Sequence, residues 1–406
     1  MIRRDAASVF ALAAALAAPL VAEDLLHLPV GDPARRDRTV PVVLDAITDA
    51  SDGAALTPAE LASRLANARL VLVGEEHTNM DTHRVELAVI EVLQKSGRNV
   101  TIALEMFPYT EQKLLDDWVA GRLSEEEMLA AGRWYKSWGY NWLYYRDIFV
   151  FARDRKIPML AVNAPRDVVS AVRKKGFQGL TAEEAAHIPS RIDTDSAEHL
   201  RLFKASFDDA SFHASMDEDG WKAMLAAQCT WDATMGYQAV KPVSKTSDPK
   251  AVVVLLAGSG HVQYGLGIER QVRAQWPVPT ASVIPVSIRD DKGKAVATVQ
   301  ASYANFVWGV PAETDAIYPD AGISTRPRTS EPLLEVIHVE KDSPAADAGL
   351  KDGDVLVSLD GAPLSDREAL ARLMAAKRWG DAAVIVLRRG ADTMTVTMPL
   401  RRKASG

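Results

Sequence analysis

Short apolar runs alternate with amphipathic stretches along most of the chain. Residues 69–73, 100–104, 158–162 and 252–257 are continuous apolar segments of strand length. Between the first two, Val85, Ala88, Val89, Val92 and Leu93 recur at helical spacing over residues 81–96, and Gly97 stands where that helix should stop. An earlier helix is announced by Thr57, Pro58 and Glu60, the residue types of a capping box with proline in the first turn. Another helix is predicted over residues 146–155. Strands that alternate with helices in this way predict βαβ units, hence an α/β fold whose mostly parallel sheet is flanked by helices. Residues 181–240 read as a helical insertion over one end of the sheet, 241–250 as a polar link, and 281–301 as two more strands.

The pattern changes around residues 311–332, where Pro, Gly, Ser and Thr become frequent. Beyond it come a strand at 334–339, a helix at 366–376 and strands at 383–388 and 393–400, a small β-rich domain of its own. The predicted organisation is therefore a leader at 1–22, a weakly patterned lead-in at 23–56, the α/β domain at 57–305, a linker at 306–332 that includes a candidate first strand of the next unit, and the β-rich domain at 333–402.

Composition adds limits. The 406 residues are 48% hydrophobic and 25% charged, ordinary for a folded chain, and length alone suggests two domains. The formal net charge of −7, with both signs interspersed, argues against nucleic acid as a partner. Arg3 and Arg4 precede an alanine-rich apolar stretch that ends at Leu20-Val21-Ala22, the layout of a secretory signal and too short to span a bilayer. Export, to the periplasm, is the expectation. The single cysteine, Cys229, is far from the leader, so neither an internal disulfide nor a lipid anchor is expected.

The polar residues that close the apolar runs carry the chemistry. Residues 71–73 lead into Gly74-Glu75-Glu76-His77, residues 102–104 into Glu105, residues 160–162 into Asn163 with Arg166 one turn on, and residues 252–257 into Gly258-Ser259-Gly260-His261. The C-terminal ends of parallel strands share one edge, where α/β sheets bind ligands, so these residues should form one polar cluster. Two chemistries suit it. His77, Glu105 and His261, with Glu75 or His83 nearby, are the residue types that hold a divalent metal ion and activate water. Alternatively, a Glu/His pair acts as general base and acid without a metal. Between the strands, Trp134, Tyr135, Trp138, Tyr140, Trp142, Tyr144 and Tyr145 crowd into a dozen residues, either as an aromatic packing layer or as a wall for a large flat apolar ligand. A tyrosine or histidine of such a wall could ligate haem iron.

These motifs resemble those of the ChaN family, in the haem-binding-uptake/Tiki superfamily. The likeness runs in order from Gly74-Glu75-Glu76-His77, Asp81 and His83 through Leu104-Glu105-Met106-Phe107, the aromatic segment, Asn163-Ala164-Pro165-Arg166 and residues 228–235, including Asp232, to Gly258-Ser259-Gly260-His261. The resemblance implies a haem-binding protein of iron uptake, with Glu75, His77, Glu105 and His261 at its centre and His83, Asn163, Arg166, Asp232, Tyr140 and Tyr144 around the ligand. The wider superfamily also holds metal-dependent proteases and erythromycin-esterase-like hydrolases, and hydrolysis on the same cluster is the alternative. The C-terminal domain resembles a bacterial PDZ domain, carried by residues 343–350 and Gly353-Asp354. That likeness implies a peptide or protein partner added as a strand, with its carboxylate at Gly322 and Ile323; oligomer contacts, a homodimer among them, are the other use of such a fold.

Overall fold

The computed structural model describes residues 24–207, 216–290, 292–312 and 317–402; the expected leader lies outside the described residues. The strands, in chain order, are β1 (Thr39–Pro41), β2 (Ile47–Asp49), β3 (Ala55–Leu56), β4 (Leu70–Glu75), β5 (Asn99–Pro108), β6 (Met159–Asn163), β7 (Ala251–Gly258), β8 (Thr280–Ser287), β9 (Thr298–Gln300) and β10 (Phe306–Val310). In the C-terminal domain they are β11 (Ile323–Pro327), β12 (Leu334–Val339), β13 (Val355–Leu359), β14 (Ala362–Pro363), β15 (Ala382–Arg389) and β16 (Asp392–Pro399).

The main sheet has the order β3-β2-β10-β8-β4-β7-β5-β6. From β10 to β6 every pairing is parallel, and β2 and β3 complete one edge antiparallel. The sheet is buried on both faces: Val71, Val73, Ile102, Leu104, Val254 and Leu256 face one core, while Leu70, Leu72, Ala103, Val253 and Leu255 face the other. That explains the continuous apolar runs, since a strand covered by helices on both sides has no polar face to alternate. Local signals place the first helices. Glu60 accepts from the Thr57 N–H at 2.7 Å to cap Pro58–Arg64, and Asn79 caps Met80–Lys95.

Two boundaries shift. The lead-in belongs to the α/β domain: Leu28, Val30, Val40, Val42, Ile47 and Ala50 are buried, and β2 and β3 extend the sheet. Residues 306–310 are not linker but β10, and Gly309 passes so close to Val43 that a Cβ there would sit 2.0 Å from the Val43 carbonyl oxygen. The stretch 181–240 is helical, as expected. Its main element, the helix Glu218–Ser244, runs through Pro242 into the expected polar link and buries Met235, Ala239, Val240 and Val243 in the second core.

The C-terminal domain is an antiparallel sheet of order β11-β12-β13-β15-β16, with β14 paired to β13. Leu334, Val336, Leu356, Ile385, Leu387 and Met398 form its core. Asp354 is buried and held by Arg389 through two nitrogens, each at 2.7 Å. The helix Arg367–Ala375, capped by Asp366, lies beside β11. The α/β architecture with a small β-rich C-terminal domain is the one the sequence predicts.

Candidate functional site

Because β7 pairs with both β4 and β5, the C-terminal ends of β4, β7, β5 and β6 stand side by side. Two carboxylate–imidazole pairs result. Glu75, the last residue of β4, is fully buried and its Oε1 lies 2.7 Å from His77 Nδ1. This leaves His77 Nε2 as the ring nitrogen turned to the cavity, and the His77 side chain keeps 27% of its exposure. Gly258 makes room for that ring: a Cβ there would come within 3.2 Å of His77 Cε1. The glycine thus allows the close approach of the ring, and a side chain there would press on it. Burial opposes charge on His77, but the hydrogen bond and charge of Glu75, with the charge of Glu105, outweigh it and raise the ring's pKa. Glu75 itself is raised, chiefly by burial.

The second pair lines the same cavity through His261 and Gln228. Asp232, wholly buried on the long helix, meets His261 Nδ1 at 2.6 Å, and the Gln228 amide lies 2.9 Å from the same nitrogen. Residues four apart on one helix share a face, so both side chains reach this ring. His261 Nε2 is 3.4 Å from Glu105 Oε1, and Glu105 Oε2 accepts from the Gly258 N–H at 2.7 Å. Burial would lower His261, but Glu105 and Asp232 raise it to about 10. Burial would raise Glu105, yet His261, His77 and the Gly258 N–H hold it at about 2. His261 and Glu105 are therefore a charged pair at neutral pH.

Other sequence-proposed residues take supporting places. His83 points away from the cavity: its Nδ1 meets Glu86 at 2.8 Å and its Nε2 lies 3.4 Å from Glu75 Oε2, forming a buried row Glu86–His83–Glu75–His77. Burial pushes Glu86 well up and His83 down, disfavouring charge on both. Glu86 escaped the sequence reading, although its position three residues after His83 places it on the same helix face. Asn163 clips the strand ends together by donating to the Glu105 carbonyl at 2.8 Å. Arg166, first residue of Arg166–Lys175, is exposed and makes no ion pair among the described residues. The aromatic segment divides. Trp134, Trp142 and Tyr145 are core, while Trp138 and Tyr140 lie against His77 at centroid distances of 4.8 and 4.6 Å. Tyr144 turns from the cavity and packs on Tyr318 at 5.0 Å.

In the proposed metal set, His261 Nε2 stands 3.4 Å from Glu105 Oε1, while Glu105 Oε2 is engaged by the Gly258 N–H and His77 Nδ1 by Glu75. Among the described residues His199, Cys229 and Asp232 each offer a ligand atom within 4.8 Å of the others. Arg270 Nη2 already stands there, 3.2 Å from His199 Nδ1 and 3.5 Å from Cys229 Sγ, and burial first of all raises the thiol and lowers His199 to about 4. A guanidinium fills the place a cation would take.

Fold and site together define an α/β protein with paired carboxylate–imidazole groups on the sheet edge, followed by a small β-rich domain. The family described as haem-binding uptake, Tiki superfamily, ChaN matches residues 61–272, and the chain belongs to it. A PDZ domain matches residues 319–400. Among solved structures, ChaN of Campylobacter jejuni, described as showing cofacial haem binding, is 19% identical with a TM-score of 0.48, covering 64% of this chain and 95% of that one. A mutant erythromycin esterase in its open conformation is 12% identical with a TM-score of 0.37, covering 62% and 93%. A probable periplasmic serine endoprotease, DegP-like, of Rhizobium meliloti (strain 1021) is 38% identical over 65 residues, 16% of this chain. The chain spans 13% of the length of that curated relative.

Proposed function

We propose that the protein is exported and binds haem for iron acquisition, with His77 as the group that meets the iron and the PDZ domain docking a protein partner. The observation that carries this reading is the state of His77. It is a partly exposed imidazole with one nitrogen tied to a buried carboxylate and the other open, the arrangement that orients a metal-ligating histidine. Trp138 and Tyr140 offer flat apolar faces beside it. Phe203 and Phe207 line the adjoining cavity, and the unpaired Arg166 suits a propionate. Burial, with Glu75 and Glu105, raises the Tyr140 hydroxyl, which favours imidazole over phenolate as the ligand. The cavity of about 240 Å³ is smaller than the roughly 300–1,000 Å³ that encloses a drug-sized ligand, so a macrocycle would rest on the aromatic rim. Haem, when bound, would supply an iron centre; His77 would hold it, with Glu75 orienting the ring. Titration with haemin should shift the Soret band at one equivalent, and His77→Ala should abolish the shift. No shift at stoichiometric haemin sinks the proposal.

A second reading is hydrolysis by general base catalysis, favoured by the same open His77 Nε2 backed by Glu75 and by an ionised Glu105 nearby. A panel of esters and peptides tests it, with His77→Ala as control; no turnover of any member removes it.

A further inference from the structure

β11 is an edge strand, open on the side where the helix Arg367–Ala375 lies. The groove between them, about 690 Å³, is lined by Ile323, Leu370 and Met374 of the PDZ domain, and also by Tyr140, Asn141 and Tyr144 of the α/β domain. Arg367, at the start of the helix, donates to the Thr325 carbonyl, so the helix ends near the beginning of β11. At that end the two domains are joined. Asn141 Nδ2 donates to the Ala375 carbonyl at 3.2 Å, and Tyr144 packs edge-on against Tyr318.

We propose that this groove is a composite site for the free C-terminal end of a peptide with an apolar last residue, read jointly by the PDZ backbone and by Tyr140 and Asn141, and that its occupancy is felt at His77. The proposal rests on the docking role given above to the PDZ domain and deepens it. A free carboxylate is what the likeness to PDZ domains implies for this loop. The Gly322 N–H donates to Asp320 Oδ1 at 3.0 Å, a carboxylate that the peptide end would displace. An open strand edge takes one extended chain, and the apolar lining takes its alternate side chains. The link to the other site is short. Tyr140, which lines the groove, is also the ring lying 4.6 Å from His77. A residue packed against Tyr140 therefore bears on the side chain that borders the His77 ring.

The test uses the full chain and a fluorescein-labelled decapeptide ending in valine with a free carboxylate, its C-terminal amide serving as control. Binding is followed by polarisation, and the His77 ring by its histidine Cε1–H resonance, assigned through His77→Gln. The expected result is that the free acid binds and the amide does not. Asn141→Ala and Tyr140→Ala should each weaken binding roughly three- to tenfold, the value of one lost contact. Peptide should also shift the His77 resonance. If the acid binds equally to wild type and both variants and the resonance stays fixed, the composite site is wrong while the docking role stands. Tighter binding by the variants would make the aromatic segment a barrier and overturn the proposal. If the acid fails to bind even at millimolar concentration, the docking role falls with it.

Discussion

Glu105 is the residue on which the charge of the site turns, and Glu105→Gln tests that. The amide keeps an oxygen for the Gly258 N–H but removes the charge 3.4 Å from His261 Nε2. Coulomb's law at that distance and an effective dielectric constant of about 20 gives roughly 5 kcal/mol. The fall of the Glu105 pKa from the ordinary 4.5 to about 2 corresponds to about 3 kcal/mol. The second figure already includes the burial cost and is the better guide. The sign of the pH dependence follows from both partners. Glu105 is depressed on folding, so its contribution is present above pH 4.5 and lost as pH falls through about 2. His261 is raised, so its contribution is present below pH 6.5 and lost as pH rises through about 10. Glu105→Gln should therefore cost about 3 kcal/mol at pH 6 and much less above pH 10. Urea unfolding followed by tryptophan fluorescence reads the right domain, because Trp379 is the sole tryptophan of the PDZ part among the chain's nine. An equal loss at both pH values, or a loss under about 1 kcal/mol at pH 6, would refute the charged Glu105–His261 pair.

Three further outcomes are expected. Burial favours the neutral form of Glu86, so Glu86→Gln should cost under about 1 kcal/mol at pH 7 in urea unfolding, while Glu86→Ala, which strands His83 Nδ1, should cost about 2–4 kcal/mol; equal losses would mean a charged carboxylate. Gly309→Ala should destabilise the α/β domain by at least about 2 kcal/mol, because the clash is with backbone at Val43 and no rotamer relieves it; a neutral effect would remove β10 from the sheet. Asp320→Ala frees the Gly322 N–H and should tighten binding of a free-carboxylate peptide about threefold by polarisation, whereas unchanged affinity would mean that N–H is not used.

Much of the site was legible because local patterns marked the strands and because the residues that end parallel strands must share an edge. Glu75, His77, Glu105 and His261 were found that way. What could not be read was how each of them is turned relative to the cavity. His83 and Asp232 stand behind the site because of helix rotation against the sheet, which depends on how the two cores pack. Asp232 and Gln228 carry a visible four-residue spacing, but only the sheet order, with β7 between β4 and β5, aims that helix face at His261.

The sequence by itself determined the α/β class, the PDZ domain and the family, since each is written in contiguous segments: apolar runs, capping residues and motifs in order. Tertiary structure alone decided the rest. The short strands at 47–49 and 306–310 have too few residues to show a period, and become strands through their neighbours. The open nitrogen of His77, the pairing of His261 with Asp232 and the contact of Asn141 with Ala375 all depend on side chains brought together from distant segments. Their geometry is set by packing, which no local pattern records.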